Sequence, residues 1–311
     1  MTVSRTLVLA AAHTTGPVRH LSLAAPDGGA LASYTPGSHV IVGAGGRANA
    51  YSLTGEFLHP QTYEISVLRT PGGTGSHWLH DALGVGDELK VSAPASAFAP
   101  VASARHHVLV AGGIGVTPIL SHVRAAVRLG RSFEVIYAHR WDPPAHLDDL
   151  TVLCGDRLST VTNRHELTRR LSLRLADQPL GSVVYLCGPA AMMTAVQDLA
   201  GALGWPSERI LTEAFGVDAL DPGDPFTVDL QRSGRRVRVA SGVSLLEALE
   251  SVGIPVPNMC RQGVCGQCRI AVAGGRPRHR DQYLSEAEHA AGDCLMACVS
   301  RSHGDLLELS L

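Results

Sequence analysis

The placement of its cysteines constrains this chain more than any other feature. Seven occur in 311 residues, and five of them (Cys260, Cys265, Cys268, Cys294 and Cys298) fall in the last 52 positions. A disulfide scaffold spreads paired cysteines through a short secreted chain. Crowding at one end of a long chain reads as a metal centre instead. The spacing Cys260-x4-Cys265-x2-Cys268, with Cys298 another 30 positions on, is the plant-type [2Fe–2S] arrangement. Thiolates are soft, strongly donating ligands, and four of them complete two tetrahedral irons. Gly263 and Gly266 let the loop fold tightly, so that backbone N–H groups can point at anionic sulfides. The competing readings are a zinc site or plain buried thiols. A zinc ribbon prefers paired C-x2-C units, and the second half here offers only Cys294-x3-Cys298.

Composition removes other classes. The chain is 45% hydrophobic and 17% charged with a net charge of -2, which suffices for packed cores and excludes extensive disorder. A near-neutral balance lacks the clustered basic face of a nucleic-acid binder. Leu7 to Ala12 is too short for an export signal and fits a strand. The longest apolar run, Val108 to Leu120, is shorter than a membrane span and broken by glycines. The expectation is a soluble protein of the reducing cytoplasm, with no membrane and no nucleic-acid partner.

Residues 1 to about 103 read as short strands, including Ser38–Val42, Ala50–Leu53 and Tyr63–Leu68, separated by Pro- and Gly-rich turns. That regular spacing suggests an all-β barrel or sandwich. One helix interrupts it, with Ser76 as its expected N-cap and Gly84 as its stop. From residue 104 the pattern changes. Three apolar strands, His107–Ala111, Phe133–Ala138 and Ser182–Cys187, alternate with helical stretches, which implies a parallel α/β sheet. Val217–Pro225 reads as a linker. Beyond it come a hairpin, Phe226–Leu230 with Arg235–Ala240, and a helix with a Ser244/Glu247 capping box that ends at Gly253. The expected domains are therefore residues 1–103, 104–222 and 223–311.

Two further segments carry chemistry. Gly112-Gly113-Ile114-Gly115-Val116-Thr117-Pro118 lies between a strand and a helix, where glycines admit a pyrophosphate and the helix N-terminus offers unpaired N–H groups. Thr117 is the expected N-cap and Pro118 the first helical residue. Cys187-Gly188-Pro189 places a second tight turn at the same carboxyl edge, where open α/β sheets bind ligands. Upstream, Tyr51 in Asn49-Ala50-Tyr51-Ser52-Leu53 could pack on an isoalloxazine ring or simply belong to a strand. Gly72-Gly73-Thr74-Gly75-Ser76 opens a helix and is a ready phosphate site.

Taken in this order, these motifs make the chain resemble the phthalate dioxygenase reductase family, within the ferredoxin–NADP reductase superfamily, over essentially its whole length. The resemblance implies a six-stranded antiparallel flavin-binding β-barrel, a parallel α/β nucleotide-binding domain and a C-terminal β-grasp [2Fe–2S] ferredoxin domain. It implies FMN in preference to FAD, NADH in preference to NADPH, and a partner oxygenase, a Rieske-type aromatic-ring oxygenase or O-demethylase in preference to a cytochrome P450. The run Cys298-Val299-Ser300-Arg301 resembles the ferredoxin ending, making Cys298 the fourth ligand and Cys294 a buried neighbour. By motif, Tyr51, Ser52 and Leu53 fall on the flavin signature, and Gly73, Thr74, Gly75 and Ser76 on the flavin-phosphate turn. Gly113, Gly115, Thr117 and Pro118 fall on the nucleotide turn, and Cys187, Gly188 and Pro189 on the element near the nicotinamide. Glu213-Ala214-Phe215-Gly216 resembles the segment that closes the nucleotide domain, with Phe215 beside the flavin.

One position departs from the family. Asn49 stands where the signature has arginine, and Arg47 or Arg69 is the expected replacement for the lost charge. Ser52, Thr117 and Cys187 are expected to position the reacting rings rather than act as acids or bases, since hydride transfer depends first on geometry. Residues 223–311 contain 10 arginines and 10 acidic residues, so weak long-range steering of the partner is expected. The chain is expected to be a monomer. Two alternatives stay open: a free-standing NADH:acceptor or flavin reductase, and a redox-sensing binding protein.

Overall fold

The computed structural model describes residues 4–45, 47–71, 74–96, 98–215, 223–258, 261, 263, 266–281 and 283–311, without the side chains of Arg47, Ala48 and Thr74. The expected linker lies largely outside the described residues, as do Cys260 and Cys265. The chain divides into two compact units, residues 2–214 and 215–311.

The first unit begins with antiparallel strands β1 (Ser4–Thr15), β2 (Val18–Ala24), β3 (Ser38–Ala44), β4 (Arg47–Ser52) and β5 (Thr62–Leu68). After helix α1 (Thr74–Asp81) come β6 (Glu88–Ser92) and the two-residue β7 (Ala95–Ser96). The strand path is β4-β3-β6-β1-β2-β5, with β7 added to β3, and an antiparallel bridge from Leu53 to Ile65 links its two ends. Alternation puts one face inside. Leu7 and Leu9, Leu21 and Leu23, Val40 and Val42, and Ile65 and Val67 are all at most 1% exposed and pack in one cluster. Each such side chain contributes about 1.5–3 kcal/mol by leaving water.

A parallel sheet follows, built from β8 (His106–Gly112), β9 (Phe133–Ala138), β10 (Leu158–Val161), β11 (Ser182–Cys187) and β12 (Ile210–Glu213). Its connections are helices α2 (Val116–Arg128), α3 (Leu147–Cys154), α4 (Arg164–Ala176) and α5 (Ala190–Ala202). The spatial order is β10-β9-β8-β11-β12. Strand order reverses between β8 and β11, so the topological switch point lies at their carboxyl ends. Helix α2 docks against the first sheet: the Gly37 N–H donates to Ser121 Oγ at 3.1 Å, and Arg124 Nε donates to the Thr54 carbonyl at 2.9 Å.

In the second unit, strands β13 (Phe226–Leu230) and β14 (Arg235–Val239) form the expected hairpin, one residue shorter than read. Helix α6 (Leu245–Ser251) carries the Ser244/Glu247 capping box, and Gly253 follows at φ +77. Then come β15 (Arg269–Gly274), β16 (Pro277–Arg278), α7 (Glu286–Ala291), β17 (Cys294–Met296), β18 (Arg301–Ser302) and β19 (Leu306–Leu309). The main sheet runs β14-β13-β19-β15-β17, with β13 parallel to β19 and the other pairs antiparallel. Val228, Val239, Leu245, Leu249, Leu307 and Leu309, all fully buried, form its core.

Two expected caps are corrected. Helix α1 starts at Thr74, and Ser76 lies inside its first turn, with Oγ accepting the Thr70 N–H at 3.3 Å. The hydroxyl is drawn back onto the preceding loop and does not cap from outside. The N-cap of α2 is Gly115, not Thr117. A 3₁₀ turn over Gly113–Gly115 starts the winding earlier, and Thr117 Oγ1 donates to the Ile114 carbonyl at 3.0 Å. Pro118 still falls in the first turn, where its missing N–H leaves no helical bond unmade.

Candidate functional site

The first part of the site is the β4 ledge. Period-two alternation puts Asn49 and Tyr51 on one face and Ser52 on the other. The Asn49 amide lies beside the Tyr51 phenol, whose pKa burial raises and the amide partly restores. Its Nδ2 also sits where a Cβ on Gly75 would come within 2.6 Å. Glycine at position 75 lets the start of α1 approach this side chain, so the amide and the helix N-terminus converge on one spot. On the other face, Ser52 is 4% exposed and faces His39 across the β3–β4 ladder. The Ser52 hydroxyl and both ring nitrogens of His39 have no hydrogen-bond partner among the described residues. Burial lowers the His39 pKa to about 4, so the ring is neutral near pH 7. Buried polar atoms are rarely left unpaired. These orphans suit the polar edge of a bound ring system, and the Asn49–Gly75 cradle suits its phosphate.

Not every predicted cofactor contact lies here. Leu53 is fully buried in the core, and its N–H donates to the Ser38 carbonyl at 2.8 Å. Arg69 is exposed and forms a two-pronged ion pair with Asp81 at 2.6 and 2.8 Å, so its charge is matched at the far end of α1. The Arg47 side chain, Gly73 and the Thr74 side chain lie outside the described residues.

The second part is the switch point. Gly113 takes φ +55, a conformation that favours glycine, with the Trp141 ring beside it at 3.5 Å from where a Cβ would stand. A Cβ on Gly115 would collide with the Cys187 carbonyl, and one on Gly188 would lie 3.0 Å from Gly112 Cα. The two turns read separately from sequence are thus in backbone contact. Pro189 N-caps α5, and Thr117 is 2% exposed behind the turn. Cys187 is fully buried, and burial raises its thiol pKa well above the usual range, with the Glu213 carboxyl adding to the shift. It is held as a neutral thiol, fit for packing and positioning but not for nucleophilic attack.

Glu213, read from sequence only as the start of the segment that closes the nucleotide domain, takes on a role of its own in the structure. It is the register partner of Cys187 on β12, 2% exposed, with Oε2 unpartnered among the described residues and its pKa raised to about 8 by burial. A neutral carboxyl beside a neutral thiol at a switch point is a pre-formed proton-holding group. The resemblance of Glu213-Ala214-Phe215-Gly216 to a family segment marks the position, but nothing in it indicates that the carboxyl is buried and protonated. Phe215 follows, half-buried.

The third part belongs to the second unit. Cys268 and Cys298, 3% and 1% exposed, bring their Sγ atoms to 3.2 Å. Their 30-residue separation in sequence is closed by the 3.0 Å bond from the Ala297 N–H to the Cys268 carbonyl. Gly263 and Gly266 both take φ +75, and a Cβ on Gly266 would collide with the Tyr283 ring. Arg261, also at positive φ, pairs with Glu250 of α6 at 2.6 Å and pins this loop to the helix. Cys294 sits on β17 opposite Ala271, with the Arg269 guanidinium beside its thiol. Two buried thiols in near contact beside a glycine-shaped loop fit an iron–sulfur cluster.

Geometry of this kind defines a class, the flavin- and pyridine-nucleotide-dependent oxidoreductases that carry a ferredoxin-type domain in the same chain. Residues 228–303 match the 2Fe-2S iron-sulfur cluster binding domain, and residues 89–210 match the dimethylamine monooxygenase subunit DmmA-like N-terminal domain. The chain is 42% identical over 286 residues to the heme-dependent oxidative N-demethylase beta subunit of Ectopseudomonas mendocina (strain ymp), covering 90% of each. It is 37% identical over 303 residues to the phthalate 4,5-dioxygenase oxygenase reductase subunit of Pseudomonas putida, covering 93% of this chain and 91% of the relative. The solved structure of a phthalate dioxygenase reductase superposes with a TM-score of 0.82 at 32% identity, covering 99% of this chain and 98% of the other. The chain belongs to the phthalate dioxygenase reductase family of oxygenase-linked oxidoreductases. Among the described residues, no helix is long and apolar enough to cross a membrane.

Proposed function

We propose that this chain oxidises NADH and delivers single electrons, through FMN and a [2Fe–2S] cluster, to a separate oxygenase subunit. In this reading residues 1–103 bind FMN, residues 104–222 bind NADH and residues 223–311 carry the cluster on Cys260, Cys265, Cys268 and Cys298. The contact of the two glycine turns at the switch point, backed by Cys187 and Glu213, carries the reading. Such paired glycine turns suit a pyridine nucleotide, and the same chain supplies four spaced cysteines. FMN, when bound, supplies the conversion of one two-electron hydride into two one-electron deliveries.

The residues then divide the work. Gly113 and Gly115 let the pyrophosphate approach the backbone of α2. Cys187 and Thr117 wall the nicotinamide slot, and Glu213 keeps a proton close to it. Ser52 and His39 present neutral hydrogen-bonding groups to the ring edge, and Asn49 with the α1 N-terminus receives the phosphate. Asparagine brings no charge, so Arg47 is left as the expected counter-ion, Arg69 being matched by Asp81.

The partner reading is sharpened by one observation. Identity is higher to a subunit of a heme-dependent oxidative N-demethylase than to a phthalate dioxygenase reductase subunit, 42% against 37%. That favours a haem-containing oxygenase acting on an amine over a Rieske-type protein. The test is coupled turnover of the purified holoprotein with a haem-dependent N-demethylase and, separately, with a Rieske dioxygenase. NADH consumption matched by demethylated product with the first alone is expected. Fast dye reduction without coupling to any oxygenase would support a free-standing reductase, and slow NADH turnover with every acceptor would sink the enzyme reading. Flavin released by heat and separated by chromatography identifies FMN or FAD directly.

A further inference from the structure

A second cluster of ligating side chains lies apart from the cysteines. His279 follows β16, Asp281 is two residues on, and His289 stands in the last turn of α7. One ligand atom from each of the three lies within 4.8 Å of the others. The imidazole rings stack with centroids 4.4 Å apart and planes 20° from parallel. His289 Nε2 is 3.3 Å from Asp281 Oδ2, and His279 Nδ1 is 3.7 Å from Asp281 Oδ1.

This arrangement is fixed by local structure. The Leu284 N–H donates to Asp281 Oδ2 at 2.9 Å, which turns the chain towards α7. A Ser285/Glu288 capping box then starts that helix in the register that aims His289 at the carboxylate. The Asp281 side chain is fully buried, His279 is 10% exposed and His289 is 31% exposed, leaving one side of the group open to water. Neither ring nitrogen of His279 has a hydrogen-bond partner among the described residues. A nine-tenths buried imidazole with both nitrogens unused, aimed at a buried carboxylate, is a costly arrangement without a ligand. Burial and the neighbouring His289 also lower the His279 pKa, which favours the neutral ring that binds metals.

The donor set narrows the ion. Two imidazoles and one carboxylate suit zinc or ferrous iron, whereas calcium and magnesium prefer all-oxygen shells. Tetrahedral ligands on bonds of about 2.0 Å stand about 3.3 Å from one another. The His289 Nε2–Asp281 Oδ2 separation of 3.3 Å already has that value, whereas His279 Nδ1 lies 3.7 Å from the other carboxylate oxygen and its ring must turn out of the stack on His289 to share the ion. We propose that His279, Asp281 and His289 form a zinc site, distinct from the iron–sulfur cluster, with water as the fourth ligand. Its position gives it a task. A Cβ on Gly263 would lie 3.0 Å from Asp281 Cα, and Ser300, two residues after Cys298, donates to Asp281 Oδ1 at 3.3 Å. Zinc here ties the 279–289 segment to the wall of the cysteine loop.

The test uses the intact holoprotein, incubated with excess zinc, desalted, and analysed for metal content and zinc K-edge X-ray absorption. One zinc per chain is expected at unchanged iron content. Its first shell should be nitrogen and oxygen near 2.0–2.1 Å, with no sulfur shell near 2.3 Å. His289→Ala, at a partly exposed helix end, should lose the zinc and keep its iron. Failure of the wild type to retain zinc overturns the proposal. So does a sulfur shell, which would place the ion on the cysteines, and so does full zinc occupancy in His289→Ala.

Discussion

Replacing Glu213 with glutamine should reverse part of the protein's pH dependence of stability. The native carboxyl has its pKa raised by burial from 4.5 to about 8. Between those values the folded state holds a proton that the unfolded state has released. Stability therefore falls as pH rises through that window, and the decline levels off above the folded pKa. Integrating the two titrations gives a loss of roughly 2–3 kcal/mol between pH 5 and pH 7, and about 1 kcal/mol more by pH 9. Glutamine keeps the shape and cannot ionise, so the variant should not show this decline. The histidines His20, His39 and His122, each lowered to about 4 by burial, act in the opposite sense. They gain stability as pH rises from 4 towards 6.5, so only the difference between wild type and variant isolates Glu213. The assay is urea unfolding at pH 5, 7 and 9, followed by tryptophan fluorescence. Trp78, Trp141 and Trp205, the chain's 3 tryptophans, all lie in the 2–214 unit and report on the correct fold. The variant's relative stability should climb from pH 5 towards pH 8 and level off by pH 9. Parallel curves for the two proteins would refute the assignment of a protonated carboxyl.

Four further outcomes follow from the geometry. Gly115→Ala should abolish NADH reduction of the flavin, because its Cβ meets the Cys187 carbonyl, a backbone atom that cannot move aside; stopped-flow absorbance checks this. His146→Ala should cost about 1 kcal/mol in the same urea assay, since it removes the bonds to Ser66 at 2.7 Å and Asp149 at 2.9 Å but leaves those groups their other partners, His20 and Arg124. Cys298→Ser should remove the cluster's visible absorption and coupled turnover but spare dye reduction by NADH, whereas Cys294→Ala should leave the cluster in place. Arg69→Ala should retain flavin on gel filtration, while Arg47→Ala should release it.

Features set by local chemistry could be read from the residues alone. Strands Phe133–Ala138 and Ser182–Cys187 occupy the ranges that their apolar runs indicate. The Ser244/Glu247 capping box forms because both partners sit within one helical turn. Caps were misread where a neighbouring backbone competed: the Gly113–Gly115 turn winds before Thr117 can cap, and the Thr70 N–H engages the Ser76 hydroxyl. Such competition depends on where loops end in space, which periodicity does not encode.

The larger gap concerns polar groups far apart in sequence. Nothing in the residues around His279 announces that a histidine ten positions later will stack on it. Cys187 and Glu213 are likewise separated by a helix and a strand before register pairs them. In each case one member is buried by the core of its own element, and the fold then decides which second group shares that environment. Burial is what converts the pairing into chemistry. It raises the Glu213 pKa to about 8 and makes Cys187 a neutral wall, whereas the same two residues at the surface would be an ordinary carboxylate and thiol. A motif therefore shows where a cofactor can be held. The protonation state of the groups around it is a property of the assembled sheet.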